Sequence, residues 1–116
     1  MADTNQEVTL MSDSALSYIE AGMSFAEKRA AFLAADIANA RTPDFRPMDL
    51  TLEAGSSGGS ARLRAVPTQV EVRGTVGAIE YAMTAQAKNS MTYRALADQE
   101  RAMLHELRTV AEESRR

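Results

Sequence analysis

The feature that most constrains this chain is an apolar stripe that runs up to a proline and stops. Leu16, Ile19, Met23, Ala26, Ala30, Leu33 and Ile37 recur at alternating spacings of three and four, which returns all seven to one side of an α-helix. The stripe ends in Ala34-Ala35-Asp36-Ile37-Ala38-Asn39-Ala40-Arg41-Thr42-Pro43-Asp44-Phe45. Pro43 pushes Thr42 out of the helical region, and Asn39 and Asp44 belong to the few residue types that accept a left-handed backbone. This predicts a first helix from an Asp13 or Ser14 cap to about Ala40, with Glu20, Glu27, Lys28 and Arg29 mostly on the face away from the stripe.

A second stripe, Ile79, Met83, Ala87, Tyr93, Leu96, Met103, Leu107 and Val110, predicts a helix over 78–113, with Ala97, Leu104 and Ala111 widening its apolar side. From Ile79 to Ala111 that helix is roughly 50 Å long, against about 33 Å from Leu16 to Ile37. An amphipathic stripe left over after intramolecular pairing needs another chain to cover it. The expected fold is therefore mostly α, with two long terminal helices packing as a coiled-coil-like hairpin. Residues 14–40 and 78–113 form its core as one discontinuous domain, much of it completed between subunits.

Residues 1–13 are polar and without sustained periodicity, which reads as a flexible N-terminal tail. Residues 41–77 read as an irregular or short β connector. Pro43 and Pro47 keep its first part extended, Phe45, Met48, Leu50 and Leu52 can anchor it, and Leu50 and Leu52 share one side of a strand-like segment. Gly55-Ser56-Ser57-Gly58-Gly59-Ser60 is a linker, 55–60, either a natural flexible insertion or a replaced loop. Ala61 to Ala65 and Thr68 to Val72 alternate on either side of Pro67 and suggest a small hairpin. Gly74 and Gly77 bracket a turn into the second helix.

Composition supports helix-on-helix packing. Only 5% of residues are aromatic, there is no tryptophan, and the 45% apolar fraction leans on alanine and seven methionines, which fill long seams better than they build compact cores. The net charge of -3 is scattered over both signs, which argues against nucleic acid as a partner. With no cysteine, disulfides and thiolate chemistry are excluded. No run is long and apolar enough for direct membrane insertion, and residues 1–20 lack the pattern of a cleaved signal peptide, so these features alone would place the chain in the cytoplasm.

His105 is the only histidine, and with Glu106 beside it the two side chains point to different sides of the helix. No catalytic residue, metal site or cofactor is expected, and the chain does not read as an enzyme. The alternating Glu100, Arg101, Glu106, Arg108, Glu112, Glu113, Arg115 and Arg116 describe a solvated helix face that can also select neighbouring subunits.

Two motifs add a resemblance. Ile37-Ala38-Asn39-Ala40-x-Thr42-Pro43-x-Phe45 resembles the amino-terminal signature of bacterial flagellar axial proteins, usually Ala-Asn-x-x-Thr-Pro-Gly-Tyr-Lys. Ala87-Lys88-Asn89-Ser90-Met91-Thr92-Tyr93-Arg94-Ala95-Leu96 is similar to the carboxy-terminal pattern of the FlgB family of proximal rod proteins. Asp44 stands where that signature has glycine, Phe45 where it has tyrosine, and Asp36 where asparagine is usual. The Asp-Gly-Asn expected before the second helix reads Arg73-Gly74-Thr75.

The resemblance implies a structural subunit of the flagellar basal body, assembling through its terminal helices into the rod that transmits motor torque. Its partners would be other copies of itself, neighbouring rod proteins (FlgC-like, and a rod adaptor protein at the base) and the flagellar export gate. It would leave the cell uncleaved through the flagellar type III apparatus and reside in the periplasmic rod. Leu33, Ile37, Asn39, Thr42, Pro43, Phe45, Asn89, Tyr93, Leu96 and Leu107 would then be interface or motif positions. Asn39 would cap helix-end carbonyls, and Asn89 would bridge chains and hold register. A sibling family such as FlgC, or a small homodimeric coiled-coil adaptor, is the alternative.

Overall fold

The computed structural model describes residues 4–53, 62–68 and 74–115. Two long helices, α1 (Thr4–Ala38) and α2 (Gly74–Ser114), are joined through an antiparallel pair of strands, β1 (Met48–Glu53) and β2 (Arg62–Pro67). The fold is mostly α, a helical hairpin with a short β connector.

α1 begins at Thr4, not near residue 14, so most of the expected tail is helix. Periodicity was the wrong test there. Once a nucleus exists, propagation needs only residues that do not oppose it, and Gln6, Glu7 and Met11 are ordinary helix formers, with Glu7 favourably placed in the first turn. α1 therefore has 35 residues against 41 in α2, and the difference in length shrinks to roughly 9 Å. The length mismatch expected from the two stripes does not survive.

α2 also starts early, at Gly74. Gly74 has φ 68°, a left-handed conformation in which a side chain would be strained. Thr75 to Gly77, expected as part of a turn, are already helical.

The strands pair differently from expectation. β2 joins Met48–Glu53, with Met48 opposite Pro67 and Glu53 opposite Arg62. Of the expected partner, Thr68 to Val72, all but Thr68 lies outside the described residues, as does the Gly/Ser linker. Pro67 ends β2, as a residue without a donor should, but the strand it closes turns back toward the first helix.

By contacts the chain divides into two units, Phe25–Thr92 and Met1–Ser24 with Tyr93–Arg116. Within Phe25–Thr92, Ala26, Leu33, Leu50, Ala82 and Ala85 are buried, Leu33 completely. The Asn89 amide donates to Ala26 O at 2.7 Å and the Gln86 amide to Ala30 O at 3.0 Å, so the helices run antiparallel here. In the other unit Ile19 is buried and Leu16, Tyr93, Leu96, Met103 and Leu107 are half-buried. A Cβ added at Gly22 would lie 3.0 Å from Leu96 Cδ1, which is closer than ordinary packing.

All seven positions of the first stripe are buried or half-buried. The second was read one register off in its first half. Met83 is 59% exposed and Ala87 is exposed, while Ala82, Ala85 and Asn89 face inward with Gln86 beside them. Ranking positions by apolarity favours methionine. A close helix approach favours alanine, and it accepts amides that find backbone acceptors.

Leu33→Ala is expected to cost about 3 kcal/mol by the cavity it leaves, whereas Met83→Ala should stay within about 0.5 kcal/mol. Urea denaturation of the two variants reads the difference.

Candidate functional site

The residues carrying the first motif form a built exit from α1. At the helix end, Asn39 N–H donates to Ala35 O at 2.9 Å, and the Asn39 side-chain amide donates to the same oxygen at 2.8 Å. Thr42 N–H then donates to Asn39 O at 2.9 Å, and its hydroxyl reaches Asn39 Oδ1 at 3.3 Å. The capping role expected of Asn39 is present.

The next turn runs from Thr42 to Phe45 and is closed by Phe45 N–H donating to Thr42 O at 3.2 Å. Asp44 has φ 61°, the only positive value at a non-glycine residue among those described. Proline at the second position and positive φ at the third define a type II turn, whose third position prefers glycine. Asp44 is therefore the residue that bears the strain of this turn.

Beyond it the chain returns to α1. Met48 N–H donates to Asp36 Oδ1 at 3.0 Å, which ties the start of β1 to the last turns of the helix. Asp36 is only 4% exposed, and its Oδ2 is buried without a hydrogen-bond partner. Burial raises the Asp36 pKa above the ordinary carboxylate range; the Met48 N–H opposes this, and the charge of Asp49 adds to it.

A second tie is a two-pronged ion pair. Arg29 Nε and Nη2 donate to Asp49 Oδ1 and Oδ2 at 2.9 and 3.0 Å, a fork-to-fork geometry. Burial on its own would raise Asp49, but the Arg29 hydrogen bonds, the Leu50 N–H and the Arg29 charge together hold its carboxyl below the usual value. Arg29 is raised in turn, first by the hydrogen bond to Asp49 against the cost of burial. Arg29 was expected among residues mostly on the solvated face; it sits where the returning strand supplies the Asp49 carboxylate.

The pair lines an open cavity of about 350 Å³ with Thr51, Val66 and Tyr81. Its two charged side chains among the described residues, Arg29 and Asp49, are paired with each other. Among the described residues no three His, Cys, Asp or Glu side chains come together in a way that could hold a metal.

Of the other predicted positions, Leu33 is buried, Ile37, Phe45, Tyr93, Leu96 and Leu107 are half-buried, and Thr42 and Pro43 are exposed. The structure brings Asn39 and Thr42 into contact and leads through Pro43 to Phe45. Asn89 departs from expectation: its amide is spent within the chain on Ala26 O, with the residue 6% exposed, instead of reaching toward a second chain. Asp36, Asp49 and Arg29 were missed as site residues. The signal that could have found Asp36 was its place in the motif, where a carboxylate stands for an asparagine.

Three outcomes are expected. Asp44→Gly should stabilise the protein by roughly 0.5–1 kcal/mol by relieving the left-handed strain, and Asp44→Val should cost about 1–2 kcal/mol. Asn89→Ala should cost about 0.5–1.5 kcal/mol through the lost hydrogen bond to Ala26 O. The third concerns pH. Asp49 is depressed in the folded state, so its contribution is complete above the unfolded carboxylate pKa of about 3.9 and is lost as pH falls through the lower folded value. Asp36 is raised, so its contribution is complete below the unfolded value and is lost as pH rises through the folded one. Denaturation midpoints from about pH 3 to about pH 7 should show Asp36→Asn flattening the loss on the upper side and Asp49→Asn removing the loss on the acid side.

Comparison with protein-family models, with curated proteins and with solved structures finds no match for this chain.

Proposed function

We propose that this chain is a structural subunit of the proximal rod of a bacterial flagellar basal body, without catalysis of its own. The observation that carries the reading is the type II turn at Thr42-Pro43-Asp44-Phe45. The glycine of the resembled signature falls at the one non-glycine residue with positive φ among those described, so the motif is met by a backbone that would demand it. Asn39 doubling the bond to Ala35 O and Asp36 holding Met48 N–H supply reasons for two further motif positions.

The exposed apolar residues favour assembly. Met11 and Tyr18 on α1 and Val76, Met83 and Met91 on α2 are all more than half exposed, Tyr18 at 80%. Val76, Met83, Ala87 and Met91 fall on one side of α2, opposite to no described partner. In a rod these faces would meet neighbouring subunits, at roughly 25 cal/mol per Å² of apolar area buried. On this reading the partners are further copies of the chain, FlgC-like rod proteins and the adaptor at the rod base, and the chain passes through the flagellar type III export gate to the periplasmic rod, where it serves motility.

The alternatives are a sibling rod subunit such as FlgC and a homodimeric coiled-coil adaptor. A rod needs contacts that repeat without closing, whereas an adaptor closes on itself. Sedimentation velocity over a wide concentration range separates them: open-ended oligomers are expected, and a compact dimer of fixed stoichiometry would overturn the rod reading. Tyr18→Asp and Met83→Asp should each abolish the oligomers while leaving the monomer's thermal midpoint nearly unchanged, because neither side chain belongs to the buried seam.

A further inference from the structure

The two edges of the β-hairpin differ in a way that the assembly reading does not use. Thr68 N–H donates to Pro47 O at 3.0 Å, and the pairing continues Met48 with Pro67, Asp49 with Val66 and Leu50 with Ala65. Hydrogen-bonded and non-hydrogen-bonded pairs alternate along an antiparallel ladder. The backbone groups of Asp49, Thr51 and Glu53 therefore face β2, and those of Met48, Leu50 and Leu52 face outward. On β2 the outward groups are those of Leu63 and Ala65, with Pro67 lacking a donor.

Two of the three outward donors of β1 are taken by carboxylates, and the third is Leu52 N–H. Met48 N–H is taken by Asp36 Oδ1 at 3.0 Å and Leu50 N–H by Asp49 Oδ1 at 2.7 Å. Among the described residues nothing comparable covers β2. Residues 62 to 65 are all exposed, and among the described residues no strand pairs on that side of the two-stranded sheet. An open edge of this kind is a template for an added strand.

Its side chains state what would fit. Arg62 and Arg64 alternate on one face, while Leu63 lies on the other, opposite Leu52 in the ladder, with both leucines exposed. Arg64 is engaged by Glu53 at 2.6 Å; no ion pair is recorded for Arg62 among the described residues. A strand laid beside β2 would set its own alternate residues against the two arginines and its intervening residue against the Leu52–Leu63 pair. A second copy of β2 in that place would bring arginines against arginines.

We propose that the β2 edge, through the backbone of Leu63 and Ala65, receives an extended segment of a partner protein in which acidic and apolar residues alternate. The carboxylates on Met48 and Leu50 N–H disfavour pairing along β1, and Arg62, beside an Arg64 held by Glu53, selects the charge of the added strand.

The test uses the full chain and two blocked eight-residue peptides, one alternating glutamate with valine and one alternating lysine with valine, titrated by fluorescence anisotropy. The glutamate peptide is expected to bind and the lysine peptide to bind at least about tenfold more weakly. Arg62→Glu should reverse that preference without changing the helical circular dichroism. Ala65→Pro, which removes one of the outward donors, should weaken binding of the glutamate peptide by about tenfold, roughly the loss of one hydrogen bond. Equal binding of both peptides, no binding of either, or affinities unmoved by both variants would overturn the proposal. Self-association of the peptide-free chain that Ala65→Pro abolishes would assign the edge to a second copy and overturn it equally.

Discussion

The seam between α1 and α2 in the Phe25–Thr92 unit rests on a single buried amide. Asn89 reaches Ala26 O across a contact lined by Ala26, Ala82 and Ala85, and alanines alone would let two helices slide past one another with little loss. A buried polar group that must find its acceptor removes that freedom, because a shifted register would leave the buried amide unpaired. Gln86 on Ala30 O repeats the constraint about one turn away. The register of the helices is thus set by hydrogen bonds within a seam whose shape is set by small side chains.

That register and the hairpin's agree. Met48 with Pro67 and Ala26 with Asn89 are symmetric about the same point of the sequence, within the Gly/Ser run. Strand pairing and helix pairing therefore reinforce one another, and a slip in either would strain both. Arg29 with Asp49 and Asp36 with Met48 N–H fasten the hairpin to α1. These two ties differ in kind. The ion pair is mutually satisfied, whereas Asp36 keeps one buried oxygen without a partner, so burial works against its ionisation while the bond from Met48 N–H favours it. A carboxylate where an asparagine would serve makes the junction sensitive to pH as well as to packing.

The type II turn links this framework to the assembly proposal. A chain leaving a long helix has to reverse before it can return along the helix's side, and Pro43 with Asp44 makes that reversal in four residues. The cost of placing aspartate in a left-handed conformation is offset by the contacts that follow, from the Asp36 tie to the strand pairing. Within Phe25–Thr92, Met83 and Met91 are exposed on α2 while Ala82, Ala85 and Asn89 of the same helix are buried.

By itself the sequence determined the helical hairpin, the positions of the first stripe and the cap at Asn39, and it offered Asn39 and Asp44 as left-handed residues, of which the structure uses Asp44. Each follows from local periodicity or from the backbone preferences of one residue type. Tertiary structure decided the rest. α1 extends back to Thr4 because helix propagation tolerates residues that carry no pattern, and the α2 seam chose Ala82, Ala85 and Asn89 over Met83 because interhelical distance, which no apolarity scale contains, favours small side chains. β2 paired with β1 across the Gly/Ser run, and Arg29 found Asp49 twenty residues away. Such partners are defined by where the chain returns, and that is a property of the folded backbone.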